Sequence, residues 1–449
     1  MKTLIILTEE VPNIDEIICM LSVANFPVQN DMILQADITD NTFHGKWIIQ
    51  TEQYIINIHL FKGKTSSVDY LLFDKPFEEI KYGDASQALV ALESTKTNDS
   101  NSGSRNTSVY QRITKFTTFM RMYPNSNTKF VMFWTNTNWK TTITQTAMFG
   151  FKMMITLGIQ LYYSFDDQQN INLQTKYNIT KFDTTDELLS YKNSMKHKEG
   201  NTTIRIVQTL AGFHITIKLD KGDGNHAGKI SHDPNVGFLS ALLNSIQILE
   251  TNTSSSPLKF YIEKHGVKQN YFDKKPSSKL WHSIHGIDIE FENCEIKERP
   301  QLPTKYFTIE KEMTEKLATI ICDLTSYMRT IFSNHGGCAL TDIKGPENEL
   351  HKVGQKMHRP DIVFENKETQ EILIVEGKIE KDIHKGVLQL EDTYINDFIV
   401  LLKKIYPSHK ICKGLCITIK NIDDMASYKD LMYPVKFAID TNGKFIDLR

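Results

Sequence analysis

His358-Arg359-Pro360-Asp361-Ile362-Val363-Phe364, followed after a charged turn by Ile372-Leu373-Ile374-Val375-Glu376-Gly377-Lys378, decides how this chain folds around its chemistry. Both apolar runs are short and rich in β-branched residues, and a polar turn parts them, which is the pattern of an antiparallel hairpin. Asp361 opens one strand and Glu376 closes the next, 15 positions later, so both carboxylates are expected at one end of the sheet. Lys378 lies two residues beyond Glu376 and so on the same face, because side chains alternate along a strand. Phosphodiester hydrolysis is one chemistry that needs this set. The substrate is anionic, the transition state gathers more negative charge, and a divalent cation held by carboxylates offsets it while lowering the pKa of a bound water. The alternative is a surface hairpin with an Asp at one turn and a Glu–Lys pair at the other.

Pro360-Asp361 followed by Glu376-Gly377-Lys378, with apolar strands in place and an amphipathic segment after them, resembles the PD-(D/E)xK nucleases, which include most type II restriction endonucleases. The likeness covers about the last third of the chain. It implies catalytic roles for Asp361, Glu376 and Lys378, with Asp361 and Glu376 as ligands of Mg2+. Glu347 or Glu349 is a candidate for a further acidic ligand, and Gln389 for a polar residue facing the site. His335, Cys338, His351 and His358 match no standard zinc spacing.

A related layout occurs near the N-terminus. Asp69 begins a strand and Glu93-Ser94-Thr95-Lys96 ends the next, 24 residues later, with the acid three residues before the lysine rather than two. Asp74 and Asp84 are rivals for the first acid. A polar loop with Arg105 leads into a helix bearing Gln111, Arg112 and Lys115, residue types suited to holding phosphates beside a metal site. On this reading Asp69, Glu93 and Lys96 are catalytic, Asp69 and Glu93 bind metal, and Arg105, Gln111, Arg112 and Lys115 bind DNA. If the shifted spacing breaks the site, it grips DNA without cutting.

The expected fold class is α/β: two PD-(D/E)xK-type modules, each a mixed central sheet flanked by helices, with an intervening α+β region. The segments are 1–200, 201–300 and 301–449, the last boundary falling in Lys297-Glu298-Arg299-Pro300-Gln301-Leu302-Pro303. Met313 to Ile331 has helical spacing, as has the stretch from about His384 to Ile405. The middle segment is a candidate for DNA recognition; its Gly-rich loop, Lys218–Gly237, matches no nucleotide-binding fingerprint.

With 449 residues and 40% hydrophobic content the chain can bury several cores, and a net charge of −2 excludes a polycationic, histone-like binder. Six scattered cysteines and no long apolar run point to a reducing cytoplasm and no membrane. The function expected is sequence-specific cleavage of double-stranded DNA by a type II restriction endonuclease, one active site per strand. That layout suits a monomer, with a DNA methyltransferase encoded nearby. The alternatives are a repair or mobile-element nuclease using the C-terminal site alone, and a non-catalytic DNA-binding protein on a nuclease fold.

Overall fold

The computed structural model describes residues 2–8, 11–28, 32–39, 42–60, 68–81, 84–95, 105–134, 143–165, 169–195, 202–219, 233–251, 258–265, 278–292, 318, 328–334, 342–354, 356–394, 397–428, 431–440 and 444–448. The chain divides into two compact units. The first comprises Met1–Pro12, Met32–Lys62 and Phe307–Arg449, and the second Asn13–Asp31 and Gly63–Tyr306. This division differs from the three consecutive segments read along the sequence, because strands from both ends of the chain share a sheet. Phe445 and Ile446 pair antiparallel with Phe43 and Thr42, and only tertiary pairing can reveal such a partner.

In the first unit the sheet runs Met328–Ser333, Ile362–Asn366, Glu371–Ile379, Lys410–Thr418, Val435–Ile439, Phe445–Asp447, Thr42–Gln50, Tyr54–Leu60, Lys2–Thr8. The hairpin expected around the two apolar runs is present, with Ile362 opposite Val375 and Asn366 opposite Glu371. Its turn is built by Asn366, whose Oδ1 accepts the N–H groups of Glu368 and Thr369 at 3.0 and 3.1 Å, and by Gln370 at φ 52°. An Asx turn closed by a left-handed residue is how a short polar segment reverses direction. Lys410–Thr418 then adds in parallel beside Glu371–Ile379, and Val435–Ile439 in parallel beside that.

Two helical expectations are corrected. Met328–Ser333 is a strand paired antiparallel with Ile362–Asn366, not the end of a helix. The buried pair Ile331 and Phe332 packs equally well from a pleated edge. The remainder of 313–327 lies outside the described residues except Ala318. The helix expected from His384 to Ile405 is broken into Ile383–Leu388, a wide π turn Gln389–Thr393, and Phe398–Ile405, which Asp397 caps through the Phe398 N–H. The wide turn carries Leu390 and Tyr394 onto the sheet, where they are buried with Ile374, Phe398 and Leu402.

In the second unit Tyr70–Phe73, Val90–Thr95, Lys129–Trp134, Ile159–Phe165 and Gln169–Asn172 form consecutive strands. Their pairings are antiparallel, parallel, parallel and antiparallel. The same series of directions runs from Ile362–Asn366 to Phe445–Asp447 in the first unit. Helix Arg105–Met122 occupies the first crossover and Gln145–Thr156 the second. The segment from Thr202 repeats the opening of this order. Thr202–Thr209 and Gly212–Leu219 make a hairpin, and Phe260–His265 and Ile289–Glu292 follow in parallel. Its helix Asp233–Thr251 packs on Arg105–Met122, with Thr117 Oγ1 2.9 Å from Ser240 Oγ and Arg121 Nη2 donating to Asn244 Oδ1 at 2.6 Å. Among the described residues no helix is long and apolar enough to cross a membrane.

Glu365, on the buried face of its strand, pairs with Arg329 and has His409 Nε2 at 3.4 Å. Arg329 also donates to Asn348 Oδ1 and to the Gly345 carbonyl, both at 2.7 Å. Burial and the Glu365 charge push the Tyr406 hydroxyl up to about 12. Removing one partner of a buried ion pair leaves the other charge desolvated and uncompensated, at a cost of about 3–5 kcal/mol. Glu365→Ala is therefore expected to lower unfolding free energy by about 3 kcal/mol in urea titrations. A change under about 1 kcal/mol would show that the cluster contributes no more than a surface pair.

Candidate hydrolytic sites

In the first unit Asp361 immediately precedes its strand, and the register that sets Ile362 against Val375 sets Asp361 against Glu376. The Gly377 N–H donates to Asp361 Oδ2 at 2.9 Å, fixing one carboxylate beside the other. Lys378 shares the face of Glu376, hydrogen-bonds its Oε1, lies 3.8 Å from Asp361 Oδ2, and donates to the Gly377 carbonyl at 2.9 Å. The sequence-predicted trio is thus brought together.

Tyr394, within the stretch that the sequence gives helical spacing, is part of the site. Its hydroxyl donates to Glu376 Oε2 at 2.7 Å and accepts from Gln389 Nε2 at 3.1 Å. Gln389 therefore reaches Glu376 through Tyr394. The π turn between them is the device, and such turns are frequent at functional sites. Gly386 permits the covering helix to approach, since a Cβ there would stand 2.8 Å from Lys378 Cγ and 3.6 Å from Glu376 Cγ. Burial first, and then the adjacent Asp361 charge, raise the Glu376 carboxyl above its ordinary range, with Lys378 and Tyr394 opposing. Burial and the neighbouring Glu376 push the Tyr394 hydroxyl upward, so it remains a donor.

Glu349 belongs elsewhere: it pairs with His351 at 3.0 Å and accepts the Glu347 N–H at 2.9 Å. His358 Nδ1 lies 3.6 Å from Asp397, and His335 and Cys338 lie outside the described residues. Among the described residues no group of three or more His, Cys, Asp or Glu is arranged to hold a metal. Each site offers a pair of carboxylates.

The second unit repeats the arrangement. Tyr70 pairs with Leu92, which sets Asp69 against Glu93, and the Ser94 N–H donates to Asp69 Oδ2 at 2.8 Å. Of the rival acids, Asp74 is exposed at the far end of its strand, and Asp84 closes a local turn on the Ser86 N–H at 2.8 Å. The cationic partners come from helix Arg105–Met122. Lys115 Nζ lies 3.0 Å from Asp69 Oδ1 and 2.7 and 2.8 Å from the two oxygens of Glu93, while Arg112 pairs with Glu93 Oε1. Lys96 lies outside the described residues, as do the side chains of Arg105 and Gln111. On the opposite face of the strand Ser94 donates to the buried Glu16 of helix Ile14–Val23, a contact absent from the sequence expectations. The middle hairpin, Thr202–Thr209 with Gly212–Leu219, has no acidic residue in either strand.

No protein-family model, curated protein or solved structure matches this chain.

Burial, and then the Asp69 charge, raise the Glu93 carboxyl from its ordinary 4.5 to about 7. Asp69 is held below its usual value: burial acts upward, and Lys115, Arg112 and the Ser94 N–H outweigh it. Between pH 4.5 and about 7 the folded chain keeps a Glu93 proton that the unfolded chain has released, so this contribution is lost as pH rises. Glu93→Gln should remove that part of the pH dependence, worth about 3 kcal/mol between pH 5 and pH 8. Urea unfolding at the two pH values, compared as a difference between variant and wild type, measures it. An unchanged difference would show that Glu93 titrates normally.

Proposed function

We propose that this protein hydrolyses phosphodiester bonds in double-stranded DNA with a divalent cation, Mg2+, and acts as a type II restriction endonuclease with one site per strand. The observation that carries the reading is the pairing of buried Glu376 with the partly buried Asp361, set opposite by strand register with the Lys378 ammonium upon them. Asp361 and Glu376 fit such a cation, since both are hard oxygen donors, and burial followed by the Asp361 charge penalises an ionised Glu376, a cost that a divalent charge relieves. When bound, the cation would polarise the phosphate and acidify a water. Tyr394 holds Glu376 in its rotamer. Lys378, anchored on the Gly377 carbonyl, is placed to donate to a non-bridging phosphoryl oxygen or to orient the attacking water.

Glu376→Gln or Lys378→Met is expected to slow cleavage of one strand at least about 100-fold, so supercoiled plasmid carrying a cognate site accumulates as open circles. Calcium should support binding without cutting. Linearisation at the wild-type rate by either variant, or in excess chelator, would overturn the assignment.

A further inference from the structure

The second carboxylate pair lacks a lysine where the first has one. In the first unit the lysine stands two residues after the buried acid. The corresponding residue after Glu93 is Thr95, and the three-residue spacing to Lys96 is out of phase with the two-residue repeat of a strand. Yet an ammonium does bridge the pair. It arrives from the crossover helix as Lys115, within hydrogen-bond reach of both Asp69 and Glu93. We propose that Lys115 is the catalytic lysine of a second cation-dependent hydrolytic site built on Asp69 and Glu93. This rests on the nuclease reading above and assigns the residue on which the second strand's cleavage depends.

Four correspondences support it. The register places the two acids opposite each other in both units. The N–H following the second acid donates to Oδ2 of the first, at 2.8 Å in one and 2.9 Å in the other. The strands continue with the same directions, so the crossover helix covers the same face of the hairpin. A group on that crossover touches the buried glutamate in each: Tyr394, just after the π turn, on Glu376, and Arg112, on the helix, on Glu93. Arg112 lies one helical turn before Lys115 and so projects from the same face. It acts as a positioning residue, holding Glu93 while Lys115 is drawn toward the substrate.

The step is hydrolysis. The oxygen of a water forms a bond to phosphorus as the bond to the leaving nucleoside oxygen breaks. One water proton passes to solvent, the leaving oxygen takes another from solvent, and Lys115 stays protonated, donating to a non-bridging oxygen throughout.

The test uses the full chain. Mn2+ binding is counted by electron paramagnetic resonance, and strand-specific nicking is read on end-labelled duplex with Mg2+. Wild type should bind at two sites and the variant Asp361→Asn/Glu376→Gln at one. Adding Lys115→Met to that variant should keep the remaining ion and tighten its binding, because an ammonium no longer competes for the same oxygens. Nicking of the second strand should fall about 100-fold, and Thr95→Lys should restore part of it by supplying a lysine from the strand. An Asp361→Asn/Glu376→Gln variant that binds no Mn2+, second-strand nicking unaffected by Lys115→Met, or its loss on Lys96→Met instead, would each overturn the proposal while leaving the first site standing. A wild-type chain that neither binds Mn2+ nor cuts DNA would overturn the nuclease reading itself.

Discussion

Two carboxylates set opposite each other at the mouth of a buried hairpin repel, and removal from water strengthens the repulsion because the low-dielectric surroundings screen it poorly. With both acids ionised, such a pair persists only if a positive charge lies on it. In one unit that charge comes from the strand, as Lys378, and in the other from the helix, as Lys115 with Arg112 beside it. Much of the local architecture follows from this requirement. The backbone N–H after each second acid is turned onto the first, and the crossover helix must come close enough to finish the coordination of the buried glutamate. Gly386 and the π turn before Tyr394 serve that approach in the first unit.

The two solutions differ in net charge. Asp361, Glu376 and Lys378 sum to one negative charge, whereas Asp69, Glu93, Arg112 and Lys115 sum to none when all are ionised. The raised Glu93 carboxyl and the lowered Asp69 carboxyl describe the same balance: two acids share a buried space, and the bases stabilise one more than the other.

The strand order also explains how one chain holds two such sites. A hairpin followed by parallel crossovers appears from Tyr70, again from Thr202, and again from Ile362. The first and last of these hairpins have a pair of acids at the mouth, and among the described residues the strands of the middle one carry none. The middle one, with threonine, arginine and lysine in its strands, keeps the architecture without the pair and packs through its helix against Arg105–Met122. Repetition at this level left no sequence period, because what repeats is pairing direction and burial rather than residue identity.

Composition and alternation along the strands were enough to determine the Asp361–Lys378 hairpin and the face shared by Glu376 and Lys378, and to nominate Asp69 and Glu93, with Asp74 and Asp84 left as rivals for the first acid. These depend on a period of two and on turn chemistry, both local. Tertiary structure decided the rest. Met328–Ser333 is a strand because it pairs with Ile362–Asn366, whose residues lie 29 to 38 positions along the chain from their partners. Tyr394 looked like any apolar helix position until the π turn aimed its hydroxyl. The lysine of the second pair could not be found by counting along a strand, because a helix delivers it from 22 residues beyond Glu93. A strand's own repeat is written in its sequence. Which side chain arrives from another element depends on how helix and sheet pack, and spacing along the chain holds no record of that.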